Sequence, residues 1–131
     1  QVNTRTYAHQ SSSSVTGLAD GGFVIVWNSE MQEGGRGEGT GVYAQRFNSD
    51  SSLNGDEFHV NSYINGDQGS AKVVGLGNGG FIITWKSENK DNSDYDLYAQ
   101  RYDSDGSALG EVALNAIPEI TSAAITTVNE D

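Results

Sequence analysis

Gly21-Gly22-Phe23-Val24-Ile25-Val26-Trp27-Asn28-Ser29-Glu30 returns 58 residues later as Gly79-Gly80-Phe81-Ile82-Ile83-Thr84-Trp85-Lys86-Ser87-Glu88. The match extends outward on both sides. Val2–Gln32 aligns with Val60–Lys90, and fourteen of these 31 pairs are identical. Val42–Phe47 then matches Leu97–Tyr102 at an offset of 55, and Val60-Asn61 matches Leu114-Asn115 at an offset of 54. The slips fall between the matching blocks, where loops accept insertions at little cost. A repeat of this length marks a tandem architecture, and the fold must be read unit by unit.

Each unit reads as four short strands. The first is Ser14–Leu18 or Lys72–Leu76, followed by a Gly-rich hairpin turn at Gly21-Gly22 or Gly79-Gly80, where glycine reaches positive φ without a Cβ clash. The second, Phe23–Trp27 or Phe81–Trp85, is apolar at nearly every position, the mark of a strand covered on both faces. The third is Val42–Phe47 or Leu97–Tyr102, and the fourth Glu57–Asn61 or Glu111–Asn115, with Met31–Gly41 and Asn89–Asp96 as loops. Ser11–Ser14 reads as a flexible lead-in. No segment has a helical apolar period, so the class is all-β: residues 2–59 form one unit and 60–115 a second. A four-stranded unit of this size is that of a β-propeller blade. Two such sheets packed face to face as a pseudo-two-fold sandwich are the alternative. Pro118 marks a boundary, and 116–131 is expected to be a linker or the start of a following domain.

Composition narrows the function. Seven Lys+Arg against 18 Asp+Glu give 131 residues a formal charge of −11, which disfavours phosphate backbones and anionic membrane surfaces. No run is long and apolar enough to insert in a bilayer. There are no cysteines, so disulfides and thiol chemistry are excluded. The start at Gln1, with no basic or apolar leader, suggests a processed piece or a domain of a longer chain.

The pattern Gly-Gly-Phe-x-Ile-x-Trp-x-Ser at 21–29, Tyr-Ala-Gln-Arg-aromatic at 43–47 and 98–102, Asp-x-Asp-Gly at 103–106 and Val-Asn at 60–61 resembles a tandem repeat of very large secreted bacterial proteins. These include calcium-associated repeats-in-toxin adhesins and some secreted polysaccharide-active or proteolytic enzymes. The tail from Pro118 is similar to the start of bacterial cadherin-like domains. The resemblance implies a secreted or cell-surface module. The first unit departs from it at Asn48-Ser49-Asp50-Ser51, where the second has Asp103-Ser104-Asp105-Gly106.

Three sets of side chains are candidates for chemistry. Trp27, Trp85, Tyr43 and Tyr98 recur, with Gln45, Gln100, Arg46 and Arg101 beside them. Aromatic faces flanked by amide and guanidinium groups suit a glycan, and the same recurrence suits a core. Tyr95, outside the matching blocks, is a candidate for an exposed surface. Arg46 and Arg101 are expected to pair with acids such as Glu30 or Glu88 and to satisfy backbone carbonyls. Asp91, Asp94 and Asp96 crowd one loop and Asp103 and Asp105 one turn, hard oxygen donors that suit Ca²⁺ and equally suit turns. His9 and His59 stand at unmatched places, and no nucleophile elbow, zinc-helix motif or phosphate loop occurs. The expectation is a non-catalytic extracellular module that binds carbohydrate, with a calcium-stiffened adhesin spacer as the alternative. The partner expected is a glycan or cell-surface polysaccharide, and because two blades cannot close a ring, either further copies in a homo-oligomer or a longer parent chain.

Overall fold

The computed structural model describes residues 1–4, 9–30, 39–62, 66–88 and 95–114. Two antiparallel four-stranded sheets follow one another along the chain and do not close into a barrel. The first unit holds β1 (Gln10–Gly17), β2 (Phe23–Glu30), β3 (Thr40–Phe47) and β4 (Phe58–His59), in that order. The second holds β5 (Gln68–Gly75), β6 (Phe81–Glu88), β7 (Tyr95–Tyr102) and β8 (Ala108–Ala113).

The Gly-Gly pair divides its labour. Gly21 and Gly79 sit at φ +89° and +91° in the turn, a region L-residues avoid. Gly22 and Gly80 have ordinary φ but lie against the third strand: a Cβ would come 2.4 Å from the Phe47 carbonyl oxygen and 2.3 Å from that of Tyr102. Both glycines are therefore fixed by sterics, which is why the pair recurs.

Three sequence boundaries shift. Ser11–Ser14 is not a lead-in but part of β1, paired with β2 through a bulge between Ser11 and Ser14. The matched bulge in β5 spans Gly69 to Lys72, and its Ser70 and the Ser12 of β1 both take φ +53°. Tyr95 and Asp96, expected in a loop, begin β7 opposite Glu88 and Ser87. The fourth strand of the first unit shrinks to two residues.

Alternation gives each sheet two faces. Phe23, Ile25, Trp27, Tyr43, Gln45 and Phe47 share the front face of the first unit, and Phe81, Ile83, Trp85, Tyr98, Gln100 and Tyr102 that of the second. Val24, Val26, Val42, Ala44 and Arg46 lie on the first unit's back face. The core joins unlike faces: Val24, Val26, Val42 and Ala44 cluster with Phe81, Ile83, Trp85 and Tyr102, with Ala71 and Val60 between them. Phe58, beside Ala44, meets Tyr102 with ring centroids 5.4 Å apart. A pseudo-two-fold sandwich would bring like faces together. The units instead stack front to back, in the manner of successive blades.

Polar contacts lock this joint. The Gly75 N–H donates to Thr16 Oγ1 at 3.1 Å, and a Cβ on Gly75 would stand 2.3 Å from the Gly17 carbonyl oxygen. A buried relay runs along it. The Val42 N–H donates to Asn61 Oδ1 at 2.8 Å, Asn61 Nδ2 to Gln68 Oε1 at 3.1 Å, and Gln68 Nε2 to Ser87 Oγ at 3.3 Å. Asn3 Nδ2 donates to Gln10 in the same way. Glu111 accepts from both the N–H and the hydroxyl of Ser62, each at 3.0 Å, and Glu57 does the same for Thr4. The recurring Val-Asn-Thr/Ser is thus the hinge that leads into each unit.

Tyr102 stacks on Phe81, with ring centroids 4.7 Å apart. Burial, and secondarily the charge of Glu111, pushes its phenol above the usual tyrosine range. The unfolded chain ionises near pH ~10, while the folded phenol keeps its proton. The contribution is whole below that pH and is lost as pH rises through it. Tyr102→Phe should flatten the fall in melting temperature above about pH 10. Thermal melts of both proteins across that range check it, and parallel curves would refute it.

Candidate functional site

Most of the recurring side chains lie inside the molecule. Trp27, Trp85, Tyr43, Gln45, Gln100 and Arg46 are buried, and Tyr98 is half-buried under Trp85, with ring centroids 5.9 Å apart. Gln45 Nε2 donates to the carbonyls of Arg46 and Gly55 at 2.9 and 3.0 Å. Gln100 Nε2 donates to that of Arg101 at 2.9 Å. These amides satisfy backbone that would otherwise be orphaned. The expected aromatic platform is therefore not at the surface, because the second strand and its neighbour pack their rings into the interior.

Arg46 satisfies backbone carbonyls, as expected, and these belong to the following unit rather than to its own. Its Nη1 donates to the Asp105 carbonyl and its Nη2 to the Ser104 carbonyl, both at 2.9 Å. The guanidinium lies 6.0 Å from the Phe81 ring centroid, within cation–π range. It thereby caps the turn of the following unit, and Gly106 makes room: a Cβ there would come 2.6 Å from Nη1. Arg101, its counterpart, is exposed.

Asp91 and Asp94 lie outside the described residues. Asp96 is half-buried on β7 opposite Ser87. Asp103 Oδ1 accepts from the N–H groups of Asp105 and Ser107, each at 2.9 Å, the work of a turn former. Glu111, on the neighbouring strand, is engaged by the Ser62 N–H and hydroxyl. Among the described residues no three His, Asp or Glu side chains gather.

A different site lies between the units. A polar cleft of about 350 Å³ is lined by Ser11, Asn28 and Thr40 from the first unit and by Asp67, Gln68, Gly69, Ser70, Lys86 and Tyr95 from the second. The β5 bulge shapes its wall, and Gly69 leaves space beside the Asn28 amide, 3.4 Å from where a Cβ would sit. Asn28 is 7% exposed, yet its Oδ1 has no hydrogen-bond partner among the described residues. A buried acceptor left without a donor costs about 1–3 kcal/mol, so a ligand or water hydroxyl at this place is favoured. Asp67 Oδ1 accepts from the Thr40 N–H at 3.0 Å, Lys86 supplies a cation, and Tyr95, 54% exposed, an aromatic ring. The set combines acceptors, donors and one ring, the chemistry of neutral polyhydroxylated ligands.

A second hollow of about 360 Å³ lies on the first unit's front face, against Val2, Ser12, Ile25 and Trp27. There Trp27 Nε1 is buried with no hydrogen-bond partner among the described residues. Sequence reasoning found Tyr95 but missed Asn28, Asp67 and Lys86. The signal available was the mismatch of Asn28 with Lys86 inside the densest matching block.

No family model matches the chain, and neither does a curated protein or a solved structure.

Proposed function

We propose that the chain is a non-catalytic carbohydrate-binding module of a secreted multidomain bacterial protein, and that the cleft between its units holds the sugar. The observation that carries this reading is the buried, unpartnered Asn28 carbonyl in a cleft that also presents the exposed Tyr95 ring. A sugar hydroxyl donates to Asn28 while the pyranose face lies on the ring. The test is a glycan array followed by calorimetry on the best ligand. Tyr95→Ala should weaken that ligand about 3- to 10-fold, the worth of one aromatic contact. Silence across the array would end this reading.

A second reading, a spacer of a calcium-stiffened adhesin, is favoured by the front-to-back joint, because such a joint can recur along a chain. The array run in calcium and in EDTA, beside thermal melts, separates the two. A melting temperature that rises with calcium while no glycan binds selects the spacer.

A further inference from the structure

We propose that Gly69 selects the ligand of the cleft between the units: the space left by its missing side chain seats two adjacent hydroxyls of a sugar against the Asn28 amide. This rests on the carbohydrate reading and names the part of the sugar that is read, a vicinal diol.

Comparison of the two units shows which positions shape the cleft. Gln10, Ser29 and Glu30 of the first unit return unchanged as Gln68, Ser87 and Glu88 of the second. Gln68 and Ser87 belong to the buried relay. Between them the repeat breaks. Ser11 and Asn28, which pair across β1 and β2, return as Gly69 and Lys86, which pair across β5 and β6. All four residues of this altered pair line the cleft. The framework is repeated while the lining changes.

The backbone does not demand glycine at 69. Its φ lies outside the left-handed region. A Cβ there would meet only Asn28, 3.4 Å from Nδ2 and 4.0 Å from Cγ, an ordinary van der Waals contact. Gly22, Gly75 and Gly80 differ, since a Cβ on each would collide with a carbonyl oxygen. What glycine leaves at 69 is open space against an amide. That amide forms no side-chain hydrogen bond among the described residues: Oδ1 is buried without a partner, and Nδ2 faces the space.

A carboxamide sets an acceptor beside a donor. Its complement is a donor beside an acceptor. Two hydroxyls on neighbouring ring carbons supply this: one donates to Oδ1 and the other accepts from Nδ2. A pair held trans-diaxial points apart and does not fit. A carboxylate only accepts and an ammonium only donates, so each answers half of the amide. The charged groups of the lining, Asp67 and Lys86, cancel, so the cleft is neutral in a chain of formal charge −11. Both features select a neutral diol. A serine at 69, the residue of the first unit, would set its own hydroxyl in the space and satisfy the amide from within.

The experiment runs the glycan array on the parent, Gly69→Ala and Gly69→Ser. It then titrates the parent with the methyl glycosides of glucose, mannose and galactose and their monodeoxy forms, read by NMR at the Asn28 side-chain amide. One glycoside should shift these resonances, and removal of either hydroxyl of one adjacent pair should weaken it about tenfold. Both Gly69 variants should lose about tenfold or more on the array. Their melting temperatures should equal or exceed the parent's, because a side chain at a compatible φ restricts the unfolded chain and serine gives the amide a partner. Loss of binding without loss of stability is an outcome that a merely structural glycine does not give.

Array binding that is equal in the Gly69 variants, or Asn28 resonances that no glycoside moves while the array is bound, would overturn the proposal and leave the carbohydrate reading standing. A Gly69→Ala chain that does not fold would make glycine a structural need and also overturn it. Silence of the parent on the array ends both.

Discussion

Replacing Trp85 by alanine should cost about 3–5 kcal/mol, the range for a buried tryptophan, and split the unfolding transition in two. Trp85 is 2% exposed and belongs to the cluster that joins the sheets. Its indole stacks on Tyr98 and faces the back of the first unit. Alanine removes the ring and leaves a hole that neither sheet can fill, because each is held by its own ladder. Most of the lost area lies at the joint, so the units lose their coupling before they lose their strands. Urea unfolding followed by tryptophan fluorescence and by far-ultraviolet dichroism reads this directly. Coincident transitions in the parent and separated ones in the variant are expected. A loss under about 1 kcal/mol, that of an exposed site, would show that the two sheets are not joined through this ring.

Arg46→Ala and Arg101→Ala should differ sharply although the two residues hold matched places. Arg46 is buried, with two charge-assisted hydrogen bonds to carbonyls and a ring beneath it. Bonds of this kind contribute about 1.5–3 kcal/mol each, and the variant strands both acceptors at the joint, so a loss of about 3 kcal/mol is expected. Arg46→Lys should recover little of it, because an ammonium cannot span two carbonyls as the planar fork does. Arg101→Ala in dilute protein should stay within about 0.5 kcal/mol, as surface changes do. Equal losses would mean that Arg46 stabilises its own sheet rather than the contact between sheets.

The fold was largely legible because its determinants are local. Gly21-Gly22 and Gly79-Gly80 announce a turn, and Phe23–Trp27 and Phe81–Trp85 announce covered strands. The bulge was harder to see, since Ser12 and Ser70 look like any polar strand residue until their positive φ is known. The repeated aromatics were ambiguous in principle: a core recurs as faithfully as a binding surface, and only burial separates the two. Of the cleft, only Tyr95 was legible. Asn28, Thr40, Asp67, Lys86 and Tyr95 come from both units and converge only through the stacking. The acids were ambiguous in the same way. Asp103 suits a calcium ligand and a turn alike, and its carboxylate accepts the turn's local hydrogen bonds.

The front-to-back joint also bears on how such a chain can lengthen. A unit whose front and back both matched this joint would bring both halves with it on any in-frame duplication of about one repeat. The new unit needs no compensating substitution in its neighbours, and deletion of a unit leaves a joint that still closes. A mirror-related joint would lack this freedom, because it is finished after two partners. Unit number in an architecture of this kind can drift by unequal recombination, while each cleft between neighbours is free to diverge by itself.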